Sequence, residues 1–295
     1  MVKKALAAFI CTVTAAAAFA SCGKHLEVDD TETTTSPAAD AAEGTTAAGE
    51  ITDWHLDNGV INIDRFSDRT VPSISPDDSE VKNFTTPQEG DTVVIMKLKG
   101  YDGEIKIRLF PEYAEKGVEN FVGLADKGYY DGLIFHRVIQ DFMIQGGDPT
   151  GTGTGGESIW GGMFDGGADA NVIHAAGAVA YANSGSTATD RSQFYIVTGS
   201  VYPDEQFDES YPADVKNVYS TAGGAPWLDG SYTVFGQVYE GLDIVFSAQD
   251  VATEKMVSTD MLNAEDRPIE ELAIEYMKVG KYEGEELKWF IADYK

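Results

Sequence analysis

Residues 135–148 read FHRVIQDFMIQGGD, a largely apolar stretch that contains one arginine and ends in two glycines and an aspartate. Strand alternation from Phe142 onward places Met143 and Gln145 together on one face. Arg137 stands among aromatic and amide side chains, a setting more typical of a binding or catalytic site than of a surface ion pair. We therefore interpret Arg137 as a functional residue.

The segments around this stretch have the pattern of short β-strands. TVVIMKL (92–98) and EIKIRLF (104–110) are separated by a turn with glycines at 100 and 103, which predicts a hairpin. Glycine-containing turns separate the later runs. These runs predict strands at 133–139, 142–147, 176–182, 192–199, 232–238 and 271–279.

Two helices are predicted between the strands. The first begins at Pro111 and ends before the glycine at 128, and its apolar face is formed by Ala114, Val118, Phe121, Val122 and Ala125. The second is predicted over 242–251. Because strands and helices do not alternate as βαβ units, the pattern predicts an antiparallel barrel or sandwich with two flanking helices.

The stretch 135–148 resembles the central signature of the cyclophilins, and six other motifs resemble that family in its own order. They are Asn120-Phe121, Gly153–Gly156, Ala182-Asn183, Ser192-Gln193-Phe194, Trp227–Gly230 and Val234-Phe235-Gly236. The resemblance covers about residues 91–280. It implies a mainly β fold, a closed eight-stranded antiparallel barrel capped by two helices, and peptidyl-prolyl cis/trans isomerase activity.

The resemblance also implies roles for individual residues. Arg137 would be the catalytic cation, and Gln145 would orient it. The implied substrate-binding residues are Phe142, Met143, Ala182, Asn183, Gln193, Tyr195, Trp227, Leu228 and Tyr232. No cofactor is implied, because electrostatic stabilisation of a twisted amide needs neither a nucleophile nor a metal.

Two of these residues depart from the family pattern. Tyr195 stands where the family usually has a phenylalanine on the pocket floor, so its hydroxyl either narrows the pocket or finds its own partner. Tyr232 stands where many members have a histidine that bonds the substrate carbonyl, and a phenol can donate a similar bond. Both departures bear on substrate preference and rate.

The N-terminal residues 1–22 are predicted to be a signal peptide. Lys3 and Lys4 precede an apolar stretch, and Phe19-Ala20-Ser21-Cys22 resembles a bacterial lipobox whose cysteine receives lipid. We expect a protein outside the cytoplasm, anchored to a bacterial membrane by lipidated Cys22. The alternative is an ordinary signal peptide with an incidental cysteine.

The rest of the chain divides by composition. Residues 23–50 are rich in Thr, Ala, Asp and Glu and predict a disordered tether, and residues 51–90 predict a lead-in segment. The isomerase domain is predicted at 91–280, with an insertion at 198–226 and a C-terminal tail at 281–295. The acidic insertion is interpreted as a solvated loop, because it lacks the ligand spacing of a calcium loop.

The charge and the ligand-type residues restrict the possible functions. The net charge of −28 makes nucleic acid an improbable partner. Both cysteines, Cys11 and Cys22, lie in the signal segment, so the predicted domain has no disulfide. Neither His136 nor His174 has a carboxylate or second histidine at ligand spacing, so both are predicted to be structural and no metal is expected.

The favoured function is a monomeric isomerase that assists the folding of exported proteins. Its expected partners are proline-containing segments of exported polypeptides and, through the N-terminal lipid, a membrane. A proline-peptide binding module or chaperone without significant turnover is the main alternative, and the acidic insertion could serve as its partner surface. A third alternative is an acidic-tethered adhesin, which only the N-terminal tether at 23–50 favours.

Overall fold

The computed structural model describes residues 81–203, 207, 211–258 and 265–287. The signal peptide, the tether and lead-in residues 51–80 lie outside them, as do parts of the insertion and of the C-terminal tail. The predictions for those segments therefore remain predictions.

Eight antiparallel strands form one sheet. They are β1 (Thr92–Leu98), β2 (Ile105–Leu109), β3 (Arg137–Ile139), β4 (Met143–Gly146), β5 (Ala178–Tyr181), β6 (Phe194–Val197), β7 (Val234–Glu240) and β8 (Ile274–Lys281). Their order across the sheet is β3-β4-β6-β5-β7-β2-β1-β8. The hairpin predicted from the first two runs is confirmed, with Val94 opposite Ile107.

The sheet curls into a half-barrel, and the expectation of a closed barrel is wrong. No ladder joins β3 to β8 in the part of the chain that the structure describes. Among the described residues, the segment before β3 reaches the start of β8 through an isolated bridge between Ile134 and Ala273 and a backbone hydrogen bond from Gly132 to Ile274 at 2.8 Å. The physical reason is that β3 has three residues, and its backbone N–H at Val138 donates to the carbonyl of Asp266 instead, at 2.7 Å.

Four α-helices accompany the sheet in the described part of the chain. They are α1 (Glu115–Asp126), α2 (Ala213–Thr221), α3 (Leu242–Gln249) and the single turn α4 (Glu254–Val257). α1 begins four residues after the predicted start at Pro111, because Ala114 is not helical (φ −144°) and precedes the first helical turn. None of these four helices combines the length and hydrophobicity that crossing a bilayer requires.

The helix α2 lies inside the insertion that was interpreted as a solvated loop. Its side chains Val215, Val218 and Tyr219 are buried and belong to the main core. Their spacing of three and four residues places them on one helical face. The insertion is therefore partly a packed element of the fold.

The main core lies between the sheet and helices α1 and α3. An aromatic group fills its centre, where Phe121 contacts Tyr130, Phe194 and Phe235 at centroid distances of 4.7–5.3 Å. Packing of this kind stabilises a core beyond simple area burial. Residues before β1 also attach to it, since the buried Asn83 amide donates to Gln237 at 3.0 Å.

Candidate active site

A second, smaller apolar cluster lies apart from the main core. Its buried members are Phe110, Met143, Val172, Ala178, Ala180, Tyr195, Val197, Ala225 and Val234, and the partly buried Tyr113, Ile139, Phe142, Ala182, Leu228 and Tyr232 pack against them. We call this group the site cluster. It unites six of the nine predicted substrate-binding residues, namely Phe142, Met143, Ala182, Tyr195, Leu228 and Tyr232.

The strand register brings the predicted catalytic residues to the same face as this cluster. Arg137 lies directly opposite Gln145, and Gln145 lies opposite Tyr195. Directly opposite residues on neighbouring strands project from the same face of a sheet. Met143, two residues before Gln145 on β4, also projects from that face. The cation and the apolar cluster are therefore neighbours.

Arg137 is half in solvent. Its side chain is 46% exposed, and its Nε lies 3.9 Å from Oδ2 of Asp266. Asp266 also pairs with Lys255 at 3.2 Å. Sequence reasoning missed Asp266, because it reaches Arg137 from a distant segment and no motif marks it.

The β3–β4 turn is held by the end of α3. Asp141 is the only non-glycine residue with positive φ (56°) among those described. Its backbone N–H donates to Oε1 of Gln249 at 2.9 Å, and the side-chain amide of Gln140 donates to Asp250 at 2.6 Å. These bonds fix the hairpin that carries Arg137 and Met143.

The two predicted glutamines are joined to each other. The amide of Gln145 donates to Oε1 of Gln193 at 3.0 Å, and the amide of Gln193 donates to the carbonyl of Gly155 at 2.8 Å. Gln145 thus hydrogen-bonds to Gln193, while Arg137 is its cross-strand neighbour. The orienting role of Gln145 toward Arg137 stays a prediction.

Ala182 and Asn183 follow β5 directly. The backbone N–H of Ala182 donates to the carbonyl of Gln193 at 3.0 Å. The amide of Asn183 donates to the carbonyl of Ser231 at 3.2 Å and accepts from Gly185 at 3.0 Å. Asn183 therefore links this end of β5 to the segment that carries Tyr232.

Trp227 lies at the exposed edge of the cluster, where a rim residue was predicted. It is 56% exposed, and its ring lies 5.6 Å from that of Phe142. It belongs to the 3-10 turn Pro226–Leu228, which also supplies Leu228. Tyr202 of the insertion approaches Trp227 at 6.3 Å.

The hydroxyl of Tyr195 has its own partner. It lies 2.9 Å from Nε2 of His174, and burial raises the pKa of Tyr195 well above the ordinary value. Tyr232 packs edge-on against both rings, at 6.0 Å from Tyr195 and 6.3 Å from His174. His174 was predicted to be structural, and its contact with Tyr195 was not foreseen.

Ligand-type side chains elsewhere do not converge. No group of three or more His, Cys, Asp or Glu side chains among the described residues could hold a metal. His136 is buried, and burial lowers the pKa of its ring. Its ring nitrogens have no hydrogen-bond partner within the described part of the chain.

The fold and this site define a cyclophilin-like protein, and comparisons with known proteins identify the family. The family profile described as "Cyclophilin type peptidyl-prolyl cis-trans isomerase/CLD" matches residues 93–279. The chain belongs to this family. It is a cyclophilin-type peptidyl-prolyl cis-trans isomerase.

Individual relatives agree with this assignment. A Staphylococcus aureus (strain USA300) protein named "Putative peptidyl-prolyl cis-trans isomerase" is 42% identical over 196 residues, which cover 65% of this chain and 93% of the relative. A Staphylococcus haemolyticus protein of the same name is 43% identical over 181 residues, which cover 60% and 86%. A Cryptosporidium parvum cyclophilin-type isomerase, crystallised in the presence of the dipeptide Ala-Pro, superposes with a TM-score of 0.50 at 28% identity, covering 64% of this chain and 99% of that one.

Proposed function

We propose that this isomerase acts outside the cytoplasm on X–Pro bonds of exported polypeptides, while a lipid on Cys22 anchors it to a bacterial membrane. The observation that carries the catalytic part is the position of Arg137. Its half-exposed side chain lies beside the site cluster, on the sheet face shared with Gln145 and Tyr195. The Cryptosporidium relative was crystallised in the presence of the dipeptide Ala-Pro, which is consistent with an X–Pro ligand for this family.

The chemistry required of such a site is modest. The X–Pro amide resists rotation by ~18–20 kcal/mol, because the nitrogen lone pair is delocalised into the carbonyl. A donor aimed at the proline nitrogen localises that lone pair and gives the C–N bond more single-bond character. Arg137 suits this role, since a guanidinium remains charged and presents several donors in a planar fork.

The site cluster supplies the second requirement, a surface that holds the pyrrolidine ring while the amide turns. Met143 and Tyr195 would form the floor, and Phe142 and Leu228 the walls. Asn183 and Gln193 would hydrogen-bond the peptide backbone beside it. No bond is made or broken in this scheme, so no proton or electron has to be transferred.

A proline-isomer exchange assay on a short X–Pro peptide tests the catalytic roles. We expect turnover by the wild type and very little by Arg137→Ala, with peptide binding largely retained. Equal exchange by the two proteins would contradict the proposed role of Arg137. Binding without turnover by the wild type would favour the alternative of a proline-peptide binding module.

The export role needs a separate test. In its own type of cell, the wild-type protein should fractionate with membranes and Cys22→Ala should be released. The refolding of an exported protein limited by proline isomerisation should accelerate with the wild type and not with Arg137→Ala. If Cys22→Ala remains attached to membranes, the proposed lipid anchor is wrong, and the proposed isomerase activity is unaffected.

A further inference from the structure

The pocket-floor residue Tyr195 is the first member of a chain of four polar side chains. Its hydroxyl lies 2.9 Å from Nε2 of His174, and the two ring planes are nearly parallel (14°). His174 is 1% exposed, so neither side chain can exchange this bond for one to water. A buried polar group that lost its partner would carry the cost of its own desolvation.

The other side of the His174 ring meets Asp229. Nδ1 lies 2.8 Å from Oδ1 of Asp229, and the backbone N–H of His174 donates to the same oxygen at 2.9 Å. A carboxylate can only accept, so Nδ1 carries a proton. In the neutral imidazole Nε2 is then an acceptor, and the hydroxyl of Tyr195 donates to it.

The chain ends in the insertion. Oδ2 of Asp229 accepts a hydrogen bond from the hydroxyl of Tyr219 at 2.6 Å. Tyr219 is a buried residue of α2, the helix inside the 198–226 insertion. Asp229 directly follows the turn Pro226–Leu228, which carries the pocket wall residue Leu228. Floor, wall and insertion are thus connected by three short hydrogen bonds.

We propose that His174 is a positioning residue of the isomerase, which holds the Tyr195 ring on the pocket floor and, through Asp229 and Tyr219, couples that floor to the insertion. The inference rests on the proposed function, because it takes the site cluster as the proline pocket. In this arrangement the four residues (Tyr195, His174, Asp229 and Tyr219) act as one unit, which we call the floor relay. Its role is to keep the pyrrolidine ring in register with Arg137.

The floor relay predicts non-additive mutational effects. His174→Asn keeps a donor toward Asp229, but its shorter side chain cannot reach Tyr195. Tyr195→Phe removes the hydroxyl, so it abolishes the same Tyr195–His174 hydrogen bond from the other side. We expect His174→Asn and Tyr195→Phe each to lower kcat/KM by about ten-fold, because misplacement of reacting groups is costly. The double variant should lose no more than either single one.

A matched control separates positioning from general stability. Tyr239 is another buried tyrosine of the main core, and its hydroxyl donates to the partly exposed Glu285 at 3.0 Å, away from the site cluster. Tyr239→Phe should lower the unfolding midpoint as much as Tyr195→Phe does and leave kcat/KM unchanged. Equal activity losses at 195 and 239, or simple additivity of the 174 and 195 variants, would overturn the positioning role.

If His174→Asn does not fold, two variants that each lack one tyrosine hydroxyl can test the floor relay instead. Tyr195→Phe and Tyr219→Phe each remove one oxygen atom, and the floor relay predicts that their effects on kcat/KM also fail to add. Additive effects would disconnect the insertion from the pocket. A wild type as inactive as Arg137→Ala would instead contradict the proposed catalytic site, so the two failures are distinguishable.

Discussion

At the scale of single residues, the predicted role of Arg137 separates activity from stability. Its side chain is 46% exposed and pairs only weakly with Asp266, at 3.9 Å. Removing a group so solvated should leave the free energy of unfolding within about 0.5 kcal/mol of the wild type. A donor that acts in the transition state contributes ~3–4 kcal/mol, so Arg137→Ala should lower turnover by two to three orders of magnitude.

Arg137→Lys sharpens this prediction. Lysine keeps the positive charge but loses the planar fork that can address the proline nitrogen and carbonyl together. We expect little recovery of turnover relative to Arg137→Ala, measured by isomer exchange on proteins with matched urea midpoints. Full activity in the lysine variant would show that charge alone is sufficient.

Asp190 predicts a pH dependence of stability. Its carboxyl is fully buried and accepts a hydrogen bond from Thr233 at 2.6 Å. Burial raises its pKa to about 7, although the bond from Thr233 opposes part of that change. Since the folded-state pKa exceeds the ordinary value of about 3.9, the protonated carboxyl favours the folded state. That contribution is complete below pH ~4 and is lost as the pH rises through 7.

Asp190→Asn tests this reasoning, because an amide keeps an acceptor for Thr233 and cannot ionise. The variant should match the wild type near pH 4 and become progressively more stable than it toward pH 8. The difference should grow by at most about 1.4 kcal/mol per pH unit across that window. Urea unfolding at pH 4 and pH 8 measures this difference in the free energy of unfolding. An equal difference at both pH values would contradict the raised pKa of Asp190.

The motifs in the sequence supplied the predicted site residues, and the structure places six of the nine predicted substrate-binding residues in the site cluster. The residues that support them were not predicted. His174, Asp229 and Asp266 were not assigned to the site, because their partners are distant in sequence and meet only in the folded sheet. The hydroxyl of Tyr195 was noticed as a departure, but its partner could not be deduced from position alone.

At the scale of elements, alternation in the run 104–110 predicted β2, whereas β5, β6 and β7 are buried on both faces and were predicted as runs between glycine-containing turns. The prediction was too long for the run 133–139, of which only Arg137–Ile139 is a strand, because the residues before it turn toward 272–274. The helix α2 was missed because the acidic residues that precede it, Asp204, Glu205, Asp208 and Glu209, led the whole insertion to be interpreted as a solvated loop. The spacing of Val215, Val218 and Tyr219 was the signal that could have found it.

The loop 148–155 yields a prediction at the same scale. The buried carboxylate of Asp148 accepts hydrogen bonds from Thr150, Gly153 and Gly155 at 2.7–3.0 Å. Burial alone would raise its pKa, but these donors together lower it to about 2. Its contribution to stability is therefore present above pH ~4 and is lost as the pH falls toward 2.

Asp148→Asn should destabilise the protein at pH 7 by about 1.5–3 kcal/mol, because an amide nitrogen would replace one charged acceptor oxygen. Isomerase activity should also fall, since Gly155 of this loop anchors Gln193. The destabilisation should shrink as both proteins are acidified from pH 5 to pH 2, and urea unfolding follows it. A variant as stable as the wild type at pH 7 would show that the loop keeps its conformation without the charged Asp148 carboxylate.

At the scale of the whole molecule, catalysis should be independent of the N-terminal segments. The predicted catalytic and substrate-binding residues lie between Arg137 and Tyr232, and the two described apolar clusters use residues from Val81 onward. Residues 23–50 offer little apolar area that could be buried. A chain without residues 1–50 should therefore keep its urea midpoint and, within about two-fold, its kcat/KM on a soluble peptide.

The same truncation should abolish membrane attachment, because it removes Cys22 together with the predicted tether. Full-length Cys22→Ala is the matched control, since it lacks the lipid but retains the tether. If both proteins are soluble and equally active, the lipid supplies location only. A truncated chain with a lower unfolding midpoint than Cys22→Ala would show that residues 1–50 pack on the domain. That outcome would contradict the prediction of a disordered tether, but it would not affect the proposed active site.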